Sequence, residues 1–214
     1  MQQGITLHYF DMFGRGEPLR MMLKYHNTPF VDHRLTQQEW NQMMSQGFSE
    51  FDMLPCLDID GMRLTEPCAT YKYVAQKLNY YPNPTNLVDC YMVDSVSNYR
   101  EHVRDIFKEC YKNRDMEGIE RLMNEKMPTI LRKIEARLNR VQNGNRFFMG
   151  NNVTLADFMI FDMVYNYMMC PGRAERYGNL INQNAPKLAQ WCQRMINSSE
   201  TFKEYLETRP VKEM

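Results

Sequence analysis

The chain is poor in the residues from which metal centres and cross-linked scaffolds are built. Its 214 residues include six cysteines (56, 68, 90, 110, 170 and 192) and four histidines. No two cysteines stand at C-x-x-C spacing and the histidines are equally dispersed. This argues against a zinc site or a disulfide framework and suits reduced thiols. Charge of a prevailing sign is missing too. The 26 basic and 26 acidic side chains cancel, so no global field draws the chain to nucleic acid or to an anionic membrane. The opening MQQGITLHYFD lacks the basic segment and apolar run of a secretory signal. The most apolar stretch, FMIFDMVYNYMM, is interrupted by Asp162 and Asn166, far short of a membrane span. A cytoplasmic location is expected.

What is present is material for a core: 43% apolar residues, with 24% charged ones for a soluble surface. Nineteen methionines are an excess. Methionine is soft and unbranched, which suits plastic core filling; an adaptable binding surface, or selection for a dense, polarisable protein, would call for it equally.

Patterning divides the chain in two. Residues 4–10 alternate as a strand, and a helix is expected from Arg15 to about His26, with Pro18 in its first turn. FVDHR (30–34) reads as a strand, and Thr36 to Glu39 is a capping box opening a helix that carries Trp40. CLDID (56–60) and MRL (62–64) form a hairpin around Gly61, followed by a helix from about Glu66 to Leu78. NYYPNPTN (79–86) then interrupts, and beyond it the pattern is helical: 87–112, 116–143 with a kink at Pro128, a capped helix from Thr154 to about Met169, then 186–196 and 200–206. The expected architecture is a small α/β domain (1–80), a linker (81–86) and an all-α domain (87–214).

One segment suggests chemistry. In ITLHYFDMFGRGEPLR (5–20), Tyr9 ends a strand beside the flexible Gly14-Arg15-Gly16 turn. A core tyrosine needs no such company, whereas one that holds a reactive anion does.

YFDMFGRGEPLR (9–20), EW (39–40), LPCLDIDG (54–61), FFMGNNVTLADF (147–158) and the closing TRP (208–210) together resemble the cytosolic glutathione transferases over essentially the whole chain. The resemblance is to the tyrosine-type, sigma-like class that includes glutathione-dependent prostaglandin D synthase and the S-crystallins of cephalopod lenses. It implies a thioredoxin-like first domain, a helical second domain, a homodimer, and glutathione as co-substrate. It also implies that Tyr9 donates a hydrogen bond to the glutathione sulfur. Only the thiolate attacks well, and a donor aimed at the charged form lowers its pKa, each unit being worth about 1.4 kcal/mol. Arg15 would add positive potential there. Trp40 would reach the glycine end of glutathione through its indole N–H, or else simply pack against the sheet. Leu54-Pro55 matches a cis-proline turn whose free main chain pairs with the cysteine backbone of glutathione, though a trans proline at a strand start is equally legal. Phe10, Met12 and Phe13 would line the electrophile pocket. Asp157 matches a helix-capping aspartate with a structural role.

The departures from that pattern bear on the glutathione-binding end. Met44 stands where a lysine is usual, Met53 where a lysine or glutamine precedes Leu-Pro, and Glu66-Pro67 where Gln-Ser opens the third helix. Pro67 has neither the serine hydroxyl nor an N–H to offer a γ-glutamyl carboxylate, and Glu66 brings negative charge to the same helix end. Two side-chain donors are lost and one anion site is degraded, enough to weaken binding by roughly tens to thousands of times. The sequence therefore leaves open a transferase acting on hydrophobic electrophiles, a non-catalytic S-crystallin-like or ligand-carrying protein, and a subunit of a larger assembly. No metal, nucleic acid or membrane partner is expected.

Overall fold

The computed structural model describes residues 4–210. A four-stranded sheet is ordered β2-β1-β3-β4, with β1 (Ile5–Phe10), β2 (Phe30–Leu35), β3 (Cys56–Ile59) and β4 (Met62–Leu64). β1 and β2 are parallel, Tyr9 lying opposite Arg34, and are joined through α1 (Glu17–Tyr25). β3 runs antiparallel to β1 and turns into β4. That turn is tight because Asp60 and Gly61 both take positive φ (54° and 75°), a conformation suited to Asp-Gly hairpins. α2 (Gln37–Ser45) begins with the expected box: Thr36 Oγ1 accepts from the Glu39 N–H, and the Thr36 N–H donates to the Glu39 carboxylate at 2.7 Å. α3 (Pro67–Lys77) closes this part.

Seven helices follow: α4 (Leu87–Lys112), α5 (Met116–Glu125), α6 (Met127–Leu138), α7 (Leu155–Val164), α8 (Ala174–Asn184), α9 (Pro186–Asn197) and α10 (Glu200–Thr208). All ten residues of α7 are buried, because helices of both parts, α1, α3, α4 and α9, pack against it. Its first turn is held by Asp157. That carboxylate accepts from the N–H of Thr154 (2.9 Å), the N–H of Phe148 (3.0 Å) and the indole of Trp191 (3.0 Å). The helix N-terminus is thereby tied to α9.

Three expectations are corrected. The 116–143 segment is two helices that change over at Lys126, not one kinked helix. Pro128 cannot donate to the preceding turn and is accommodated instead in the first turn of α6. The second of these helices stops at Leu138, ahead of a turn in which Asn143 and Gly144 take positive φ. The helix from Thr154 keeps α-geometry only to Val164 and then widens into a π-turn at Tyr165–Met169. Sequence reading also omits α8. Tyr177 and Ile181, four apart, bury its inner face, but Gly178 and three asparagines weaken its local signal.

Candidate functional site

The tyrosine and the glycine-bracketed turn meet as the sequence suggests. Tyr9 is 8% exposed at the end of β1, and its hydroxyl accepts a hydrogen bond from the main-chain N–H of Arg15 at 2.9 Å. With that amide as donor, the phenolic proton is free to be given elsewhere. Burial pushes the phenol above the ordinary tyrosine value, outweighing the Arg15 N–H and the charges of Arg100, Arg15 and Arg104, so Tyr9 remains a donor at neutral pH. Gly14 has φ +45°, and a β-carbon there would lie 2.5 Å from the Tyr9 oxygen. The turn can lie against the hydroxyl only because that carbon is missing.

The Arg15 guanidinium is held by a carboxylate. Its Nε donates to Glu101 of α4 at 3.1 Å, and its carbonyl accepts from the Tyr71 hydroxyl at 2.6 Å. Behind it lies a buried ionic chain that motif reading missed. Arg100 pairs with Glu101 and with Asp162 of α7, and donates to the Gly14 carbonyl at 3.1 Å. Burial disfavours the Arg100 charge, but Asp162 and Glu101 outweigh it and hold the guanidinium protonated. For Glu101, burial works against ionisation but Arg100, Arg104 and Arg15 prevail, holding its pKa below the usual carboxylate range. Asn166, on the π-turn, donates to Asp162 at 2.7 Å and accepts from Arg209 at 2.5 Å; Arg209 in turn pairs with buried Glu17 of α1. The closing Thr-Arg-Pro motif is thus tied into the floor beneath the Tyr9 turn. Asp162 and Asn166, visible in the sequence only as interruptions of an apolar run, were the available signal.

A cavity of about 170 Å³ opens beside this turn, with Tyr9, Met12, Phe13 and Arg15 on one wall and Lys108, Tyr111 and Tyr167 on another. Phe10 is not among the residues that line it; it packs against the small cluster of Tyr9, Leu35, Trp40, Leu54 and Cys56, its ring centroid 5.8 Å from that of Tyr9.

The remaining sequence candidates sit on one side of Tyr9. Trp40, 7% exposed, packs with Tyr9, Leu54 and Cys56, and its indole N–H makes no hydrogen bond to any described residue. Leu54-Pro55 is cis. The main chain of Met53 is spoken for, its N–H donating to Ser49 Oγ at 3.1 Å and its carbonyl accepting from the same hydroxyl at 3.0 Å. That of Leu54 has no hydrogen bond to any described residue. Met44 is exposed on α2. Glu66 is the N-cap of α3 at φ 60°, ψ 104°, and its carboxylate accepts from the Ala69 N–H at 3.2 Å; Pro67 follows as the first helical residue. No group of three or more potential metal ligands occurs among the described residues, and no described helix is long and apolar enough to cross a membrane.

Comparison with known proteins agrees with this arrangement. Over residues 86–209, more than half of the chain, the sequence matches the family model for the glutathione S-transferase C-terminal domain. It is 28% identical to S-crystallin 4 of Enteroctopus dofleini, covering 95% of this chain and 96% of that protein. It is 27% identical to a glutathione S-transferase of Anopheles gambiae, covering 97% and 98%. The Pi-class glutathione S-transferase of Onchocerca volvulus superposes with a TM-score of 0.82 over 99% of this chain and 98% of that one, at 23% identity, a likeness of fold. With a thioredoxin-like sheet, a helical second part and a family match across most of that part, the chain belongs to the glutathione S-transferase family.

Proposed function

We propose that the protein is a glutathione transferase in which Tyr9 holds the glutathione thiolate for attack on a small hydrophobic electrophile. The observation that carries this reading is the Tyr9 hydroxyl: it accepts from the Arg15 amide at 2.9 Å and so keeps its proton for an incoming anion. A purely structural tyrosine would have spent that proton on a protein acceptor. Arg15 and Arg100 add positive potential where the thiolate would sit, and they are themselves fixed by Glu101 and Asp162, so little reorganisation is needed when charge arrives. The free main chain of Leu54 and the indole N–H of Trp40 are the groups left to grip the rest of the tripeptide. Met12 and Phe13 supply apolar surface for the electrophile. The working unit is a homodimer in contact through α3 and α4.

Tyr9→Phe deletes only the hydroxyl. It should keep the fold and retention on glutathione-agarose while lowering the rate of chlorodinitrobenzene conjugation on the order of a hundredfold. Unchanged kinetics in that variant would remove Tyr9 from the mechanism.

One observation favours a second reading, a non-catalytic protein with a role like that of the S-crystallins. The Glu66 carboxylate occupies the Ala69 amide, a donor at the α3 N-terminus that an anionic ligand would otherwise use. No retention on glutathione-agarose, together with no conjugation by the native protein, would select it.

A further inference from the structure

The cavity beside Tyr9 has a polar end for which an uncharged electrophile has no use. Arg100, Arg104, Lys108 and Tyr111 follow one another along α4 at spacings of four, four and three residues, which places them on one face of the helix, and all four line the cavity. The inner two cations already have carboxylate partners. Arg100 is paired with Asp162 and Glu101, and Arg104 with Glu101 (3.1 Å) and Asp105 (2.5 Å). Lys108, exposed at the outer end, has no ion pair or hydrogen bond to any described residue.

Beside it, the Tyr111 hydroxyl is buried and makes no hydrogen bond to any described residue. Its ring is fixed between Phe107 and Tyr167, each centroid 6.1 Å away. Burial pushes this phenol well above the ordinary tyrosine value, so it has a proton to donate and no acceptor for it. An orphaned buried hydroxyl is costly, and an acceptor supplied by a ligand removes the cost. An unmatched cation and an unmatched donor at one end of an aromatic cavity define a place for an anion with an apolar body. Arg100 touches the Gly14 turn at 3.1 Å. From there to Lys108 the helix rises about 12 Å, so a medium-length chain separates the anion from the reacting sulfur.

We propose that the second substrate is an amphipathic electrophile carrying a carboxylate, held at that end by Lys108 and Tyr111 while its reactive carbon reaches Tyr9. This rests on the transferase reading. For an α,β-unsaturated aldehyde of the class, the thiolate sulfur forms a bond to the β-carbon and the double-bond pair moves onto the carbonyl oxygen as an enolate. The α-carbon then takes a proton from water. The thiol adds across the double bond, and no group leaves.

Two arms test this. Calorimetry compares octanoate with 1-octanol, equal in chain length and different in charge. Octanoate should bind the native protein at least about tenfold tighter, equivalent to about 1.4 kcal/mol. Lys108→Ala should bring the ratio to within about twofold, Lys108→Arg should restore it, and Tyr111→Phe should lower it. Equal binding of the two, or a ratio untouched by Lys108→Ala, overturns the proposal. Kinetics with glutathione then compares an ω-carboxylated 2-alkenal with its methyl ester, and kcat/KM should favour the acid. Conjugation of chlorodinitrobenzene without an acid-over-ester preference overturns the proposal and leaves the transferase reading standing. Absence of all conjugation sinks that reading, and the octanoate ratio then decides the anion subsite by itself.

Discussion

Gly16 lies so close to Tyr9 that a β-carbon on it would meet the ring at Cδ1 from 2.6 Å. Unlike Gly14, Gly16 has an ordinary backbone conformation, φ −76° and ψ −24°, which alanine adopts freely. Gly16→Ala therefore tests ring position without backbone strain. The ring must move, and the hydroxyl with it. Misplacement by about 1 Å costs on the order of a hundredfold in rate, so kcat should fall towards that of Tyr9→Phe, with a loss of stability of about 1–3 kcal/mol from overpacking. An unchanged kcat would mean that the turn does not set the position of the hydroxyl.

The same segment marks how far the sequence could be read. Tyr9, the glycines and Arg15 are neighbours in the chain, so their meeting was legible from local pattern, as were the Asp60-Gly61 hairpin and the capped start of α7. The ionic floor was not. Arg100, Asp162, Asn166, Arg209 and Glu17 are brought together from α4, α7, the π-turn after it, the segment following α10, and α1, and apart from the interruption of an apolar run by Asp162 and Asn166 nothing local marks them. The carboxylate that holds the Arg15 guanidinium was hidden for the same reason, since Glu101 lies 86 residues away.

His8 gives a pH dependence whose sign can be worked out. Its Nδ1 faces His33 Nδ1 at 2.9 Å and its Nε2 faces Asp58 at 3.1 Å. Burial lowers its pKa most; Asp58 opposes this, while His33 and Arg63 add to it, and the net direction is down. Below the unfolded value of about 6.5 the unfolded chain binds a proton that the folded chain resists, so stability present above that pH is lost as pH falls. The urea midpoint should drop between pH 7.5 and 5.5, and the drop should be smaller in His8→Gln. An equal drop in both proteins would assign the effect to other groups.

Leu87, Val88 and Tyr91 at the start of α4 are 77%, 68% and 69% exposed, a concentration of apolar surface that a dimer through this helix would cover. Light scattering at micromolar concentration should give twice the chain mass, and Val88→Asp with Tyr91→Glu should give the single-chain mass with helicity retained. A native monomer would refute the proposed assembly.

Glu66 and Pro67 decide whether the glutathione grip is eroded or altered. The Glu66 carboxylate caps α3 through the Ala69 amide at 3.2 Å, and Pro67 withholds the N–H that would come next to it. An arriving γ-glutamyl carboxylate would meet a like charge already settled on the helix dipole. The other possibility is that Glu66 turns to the ligand's α-amino group and offsets part of that loss. Its φ of 60° and ψ of 104° are unusual for a residue with a β-carbon, and conformations of this kind cluster at active sites, ligand clamps and switch regions. Glu66→Gln with Pro67→Ser separates the two. Removing the competing charge and supplying a hydroxyl and an amide should tighten glutathione binding at least about tenfold by calorimetry, the equivalent of 1.4 kcal/mol, if the site is eroded. If Glu-Pro is a working variant, the double mutant removes the group that meets the ammonium. Its affinity should then stay level or fall, and the weakened-grip account of the departures at this helix would be wrong.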